Sequence, residues 1–265
     1  MEHTVNINVD KEIRISDFID SKDRRSLLLD LTTASSTGAS PGLEDIAGAL
    51  QRVNTLFDGI IVNPGQLEHH AHFLGGKRRA APLIRVDWTN AYRDKDFCLP
   101  ASTVSRVLLS SGEDALHLGA TAAVATLLLG FGEDPESENI QSISLLAREC
   151  YRLSLPLIVD IRPIGGKVNR DNFAGSIKLG TSFMMEAGAD ALILPECDIE
   201  TCRLIGNWAT VPVLLRLENL PSPEKTEELF AAGMSGIVLT ERTLEAVEIV
   251  EKICSLKQCI HRQEE

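Results

Sequence analysis

Leu155–Val168 reads LPLIVDIRPIGGKV: an aliphatic run that ends on Asp160-Ile161-Arg162 and turns through Gly165-Gly166-Lys167. An apolar run without alternation marks a strand covered on both faces, as in a parallel sheet. Outward from Pro156–Ile161, the same kind of run recurs upstream at Ser26–Leu31, Gly59–Asn63, Leu83–Asp87 and Ala122–Leu129. It recurs downstream at Ala189–Leu194, Val211–Arg216 and Gly236–Leu239, which makes eight. Amphipathic stretches of helical length lie between them: Leu43–Leu56, Glu138–Leu153, Asn172–Ala187, Pro223–Ala232 and Leu244–Ile253. Asp134-Pro135 and Ser222-Pro223 open helices, and Gly188 and Gly233 close them just before strands. Eight strands alternating with helices in 265 residues predict an α/β fold, a single (β/α)8 TIM barrel. A doubly wound open sheet is the competing arrangement. The expected organisation is an N-terminal arm or plug over 1–25, the barrel over 26–256, and a polar tail over 257–265.

Composition narrows the function classes. Lys and Arg number 26 against 38 Asp and Glu, a formal charge of −12, which opposes nucleic-acid and anionic-membrane partners alike. No apolar run reaches the ~20 residues of a membrane span. Hydrophobic residues at 44% supply a sizeable core, and aromatics at 5% make that core aliphatic. The charged start MEHTVNINVDKEIR has no apolar signal region, so a cytoplasmic chain with reduced thiols is the expectation. Cys197/Cys202 and Cys254/Cys259 share a C-x4-C spacing that is wider than zinc sites prefer. His69, His70 and His72 put two imidazoles on one helical face but come with no third ligand, so no metal is expected. No G-x-G-x-x-G, P-loop or G-x-S-x-G element occurs, and no cofactor is expected.

In a barrel the chemistry sits at the C-terminal strand ends. Those ends carry Asp30, Asn63, Asp87-Trp88, Asp160 with Arg162 and Lys167, Glu196, Arg216 with Glu218, and Glu241-Arg242. Polar ends on apolar strands read as a lined cavity for a small molecule. The candidate catalytic residues are Asp30, Asp87, Asp160, Glu196 and Lys167, and the candidate substrate-binding residues are Arg162, Arg216, Trp88 and Asn63. Burial among like charges is expected to raise one carboxylate into the range of a general base. Arg162 or Arg216 is expected to grip a substrate carboxylate through its fork.

Several segments carry a family resemblance: RVDWTNAYRD (Arg85–Asp94), EDALHLGATAAVATLLLGFGEDPESENIQSI (Glu113–Ile143), LPLIVDIRPIGGKV, MEAGADALILPE (Met185–Glu196) and AAGMSGIVL (Ala231–Leu239). Over Leu27–Val250 the chain resembles the DhnA-type class I fructose-bisphosphate aldolases, whose wider family includes a thiolase and aminodideoxyheptulosonate synthases. The resemblance implies an aldolase-type barrel, assembly into homo-oligomers, and a Schiff-base lysine on the sixth strand. Ile193 stands at that lysine's position, and Glu196 stands where a tyrosine often follows. The family's Asp-His ending to strand one is here Asp30-Leu31. Its glycine phosphate cradle is replaced by Arg216-Leu217-Glu218 and Thr240-Glu241-Arg242. Four departures together weigh against a Schiff-base aldolase of phosphorylated sugars. Three functions remain. One is a divergent barrel, either a pseudoenzyme or a carboxylate-based lyase or isomerase acting on a small carbonyl or acid compound. Another is a non-catalytic subunit of an active paralogue. The third is an aldolase using a displaced Lys167.

Overall fold

The computed structural model describes residues 8–38, 44–245 and 248–261. Ten strands form in chain order: β1 (Ser26–Asp30), β2 (Gly59–Val62), β3 (Ala81–Arg85), β4 (Asp87–Thr89), β5 (Arg106–Leu108), β6 (Ala122–Leu129), β7 (Leu157–Pro163), β8 (Ala191–Leu194), β9 (Val213–Leu217) and β10 (Gly236–Thr240). Eight of them close a parallel barrel in the order β1-β10-β9-β8-β7-β6-β3-β2. The chain is a (β/α)8 TIM barrel. The open-sheet alternative is excluded by the β1–β10 pairing, which runs in register from Ser26↔Gly236 to Asp30↔Thr240.

The unbroken apolar runs are explained by two separate cores. On β1, Leu27 and Leu29 face the helical ring while Leu28 faces the barrel interior, and on β10 Ile237 and Leu239 flank the inward Val238 in the same way. Each strand therefore needs aliphatic residues on both faces. The N-terminal helix Val9–Ser16 starts at Asn8, whose side chain accepts the Lys11 amide. The helix and the turn after it feed Ile15, Phe18 and Ile19 into the interior core. Lys11 ties that helix to the barrel through a 2.7 Å ion pair with Asp190.

Two boundaries differ from the sequence reading. The run Leu83–Asp87 divides after Arg85, and Asp87–Thr89 leaves the barrel to pair antiparallel with Arg106–Leu108. The cause is local: the Asp87 carboxylate accepts the Thr126 amide at 2.6 Å, while the Val86 carbonyl accepts the Leu109 amide at 2.8 Å. The last helix spans Ile249–His261, so residues 257–261 are helical rather than tail. Ile260 is buried, and the His261 ring bridges Asp23 and Asp58 at 2.9 Å each. Leu43, 262–265 and the first seven residues of the arm lie outside the described residues.

Candidate active site

Alternation along each strand decides what reaches the barrel mouth. Below, Leu28, Ile61, Leu83, Val124, Ile158, Ile193, Leu214 and Val238 fill the interior. Two residues further along their strands, at i+2 on the same face, stand Asp30, Arg85, Thr126, Asp160, Arg216 and Thr240. The interior thus changes within one layer from aliphatic to ionic.

That ionic layer is a closed network. Arg216 donates through Nη2 to Asp30 at 2.7 Å and to Asp160 at 2.8 Å. Arg85 donates through Nη2 to the same two carboxylates at 2.9 and 3.0 Å, through Nε to Thr32 and through Nη1 to Thr126. Arg162 closes on Asp160 at 2.9 Å. Asp87 lies beside the network, held by Arg106 at 2.9 Å and by Thr126. Asp30, Asp160 and Arg216 are all at most 3% exposed.

Above this floor opens a cavity of about 350 Å³. Its walls are rich in hydroxyls, from Thr32, Thr33, Ser36, Thr37, Thr89 and Tyr92. Arg162, Glu218, Glu241 and Arg242 stand around it. The side chain of Glu241 is buried and accepts the Thr33 hydroxyl. Glu218 and Arg242 pair at 3.0 Å nearer to solvent.

Of the residues expected in the site, Asp30, Asp87, Asp160, Arg162 and Arg216 line this cavity together. Their electrostatics reverse one expectation. Burial alone would raise Asp30, but Arg85, Arg216 and the Thr32 hydrogen bonds hold it well below the ordinary carboxylate range. Burial acts on Asp160 likewise and is overcome by Arg162, Arg216 and Arg85. The like charges are interleaved with guanidinium groups, so neither aspartate is lifted toward neutrality.

The other expected residues lie elsewhere. Lys167 is 62% exposed along its side chain and pairs with Glu133 at 3.2 Å. Its loop is pinned outward because the Gly165 amide bonds to the Leu129 carbonyl and the Lys167 amide to the Gly130 carbonyl. Glu196 pairs with Lys225 at 2.8 Å on the surface. Trp88 donates Nε1 to the Ser35 carbonyl and lies under the Arg93 guanidinium. Asn63 starts helix Pro64–Leu74, with its amide donated to the Gln66 side chain. His69 and His72 are exposed on that same helix, and no group of three metal-ligating side chains forms among the described residues.

Arg85, Thr126, Tyr92 and Glu241 line the same cavity and were not among the candidate catalytic or binding residues. A signal for Arg85 was present: a charge inside LIRVD, spaced by two from Leu83 and from Asp87, belongs on the inward face. Tyr92 and Arg106 come with the β4–β5 hairpin, which no repeating pattern announced.

Ile193 decides the comparison with aldolases. It is fully buried, belongs to the interior core, and pairs in register with Asp160 directly beneath the ionic layer. An uncharacterized aldolase of Saccharolobus solfataricus is 27% identical over 196 residues, covering 69% of this chain and 70% of that protein. The class 1 fructose-bisphosphate aldolase of Thermoproteus tenax is 30% identical over 135 residues, and the match spans 48% of each chain. The chain resembles the class I fructose-bisphosphate aldolases. Among solved structures, a Schiff base-forming fructose-1,6-bisphosphate aldolase superposes with a TM-score of 0.78 at 21% identity, covering 95% of this chain and 99% of that one. The fructose-bisphosphate aldolase of Slackia heliotrinireducens gives 0.75 at 12% identity, over 97% and 89%. At such identities these structures show a shared fold. No protein-family model matches the chain.

Proposed function

We propose that this chain is an aldolase-fold barrel that forms no Schiff base and instead binds a small, unphosphorylated polyhydroxy carbonyl or acid compound at its mouth. The observation that carries the reading is the pairing of Ile193 with the network above it. Where an amine would meet a ketone there is a buried isoleucine, in register with Asp160 of a layer in which two arginines and two aspartates pair with one another. A hydrocarbon side chain supplies no nucleophile. The three aspartates are held as ion-pair partners, and a carboxylate held below its ordinary range, as Asp30 and Asp160 are, is a poor proton acceptor at neutral pH.

The cavity lining supports the ligand class. Hydroxyls from Thr32, Thr33, Ser36, Thr37 and Thr89 both donate and accept, which suits a polyol. Arg162, partly exposed beside Asp160, suits a carboxylate or carbonyl oxygen. Glu218 and Glu241 oppose a phosphate dianion.

A second, enzymatic reading rests on Glu241, a buried carboxylate on the cavity wall beside the Thr33 hydroxyl. A lyase or isomerase on this barrel would use Glu241 as its base in place of Asp30, Asp87 or Asp160.

Calorimetric titration with a panel of sugar acids and hydroxy acids, beside fructose 1,6-bisphosphate, tests the proposal. Binding is expected from an unphosphorylated member, with affinity falling roughly tenfold or more in Arg162→Ala as a charge-assisted contact is lost. Binding of the bisphosphate alone would overturn it. Turnover of a bound acid that is abolished by Glu241→Gln would establish the second reading.

A further inference from the structure

Cys197 and Cys202 hold their Sγ atoms 3.5 Å apart. Helix geometry brings them together. Asp198 caps helix Ile199–Gly206, accepting the Thr201 amide at 2.8 Å. Cys197 therefore occupies the position before the cap and Cys202 the fourth helical position, two places that face each other where a helix begins. Cys254 and Cys259 have the same spacing but both lie within helix Ile249–His261, where five residues separate side chains by about 140° around the axis. Identical spacing yields a contact in one case only.

Access differs between the two sulfurs. Cys202 is buried, while Cys197 is half-buried just beyond the end of β8. We infer that Cys197 and Cys202 form a redox-active dithiol, a modification site at the edge of the barrel mouth that closes to a reversible disulfide when a peroxide oxidises it. The contact needs to shorten by about 1.5 Å to reach a disulfide bond length, within the reach of side-chain rotation.

With hydrogen peroxide as oxidant the steps balance. Cys197 Sγ, the more accessible of the two, attacks one peroxide oxygen as it gives up its proton and the O–O bond breaks, leaving a sulfenic acid on Cys197 and releasing hydroxide, which takes up that proton. Cys202 Sγ then attacks the sulfenic sulfur, and its proton leaves with the hydroxyl group as water. Two thiols lose a hydrogen pair, and the peroxide is reduced to water. The disulfide ties the segment leaving β8, which carries Glu196, to the helix that follows.

Peptide mapping tests this on the intact chain. Both cysteines fall on one tryptic peptide, Leu179–Arg203. After hydrogen peroxide, N-ethylmaleimide and trypsin, that peptide is expected lighter by one hydrogen pair and free of maleimide. Dithiothreitol before the blocking step is expected to restore both maleimide adducts. Cys254 and Cys259 in the same sample are expected to be alkylated or separately oxidised, without an intrachain link. In Cys202→Ser the hydrogen-pair loss disappears, and Cys197 appears as a maleimide adduct or a higher oxide. Maleimide on both sulfurs of the peroxide-treated wild type, or sulfinic acid on Cys197 beside a free Cys202 thiol, would overturn the inference.

Discussion

Arg216 donates through Nη2 to Asp30 at 2.7 Å, joining β9 to β1 through the barrel interior rather than along its wall. The bond spans β10, which separates those strands in the sheet, and it sits where the interior turns from aliphatic to ionic. Taking such charges out of water is costly, and the cost is offset here because Arg85 and Arg216 each meet both Asp30 and Asp160.

Removing one member should therefore cost more than any surface pair. Asp30→Asn is expected to destabilise the fold by about 3–5 kcal/mol in urea unfolding, since it leaves Arg85 and Arg216 short of charge. The pH dependence has a definite sign. Asp30 and Asp160 lie below their ordinary values in the fold, so their contribution is complete above the unfolded carboxylate value of about 3.9 and is lost as pH falls below it. The gap in Tm between wild type and Asp30→Asn should be flat from about pH 7 to 4 and shrink in stronger acid. A gap that already changes between pH 7 and 5 would place a titrating carboxylate in the network.

The loop that keeps Lys167 outside rests on Gly165. A Cβ there would stand 2.0 Å from the Gly130 carbonyl carbon and 2.3 Å from the Phe131 amide nitrogen, and backbone cannot give way as a flexible side chain does. Gly165→Ala is expected to lose about 2–4 kcal/mol and to disturb the Arg162 side of the mouth. A loss below about 0.5 kcal/mol would show that the two loops are not locked together.

The C-terminal helix carries its own pH response. Burial would lower His261, but its bonds to Asp58 and Asp23 raise it above the ordinary histidine value, and Lys257 also reaches Asp58, at 2.8 Å. The stabilisation is therefore complete below about pH 6.5 and is lost as pH rises through the higher folded value. The Tm advantage of wild type over His261→Gln should be largest near pH 6 and shrink toward pH 9, followed by differential scanning fluorimetry. A constant gap across that range would contradict the assignment.

The barrel was legible because its signal is repeated: runs such as SLLLDL and PLIVDI need aliphatic residues on both faces, and only a strand between two cores has that need. Asp30, Asp160, Arg162 and Arg216 were legible as residues of the barrel mouth because strand ends in a barrel converge there. Their pairing was not, since a list of ends does not show that Arg85 and Arg216 sit between the carboxylates. Arg85 was hidden one step inside its strand. Lys167 was misplaced because glycine-rich loops permit many paths, and the two backbone bonds that select one path join residues distant in sequence. Residues 257–261 look polar, yet Ile260 and His261 anchor the helix through contacts with the barrel bottom that no local pattern reveals.

Reductive trapping tests the central claim most directly. The chain is incubated with dihydroxyacetone phosphate or fructose 1,6-bisphosphate and sodium borohydride, and its intact mass is then measured. No mass gain is predicted, because Ile193 occupies the interior position beneath the mouth and Lys167 stands outside it. A stoichiometric adduct reduced onto a lysine, with Lys167 the first to be mapped, would contradict the account.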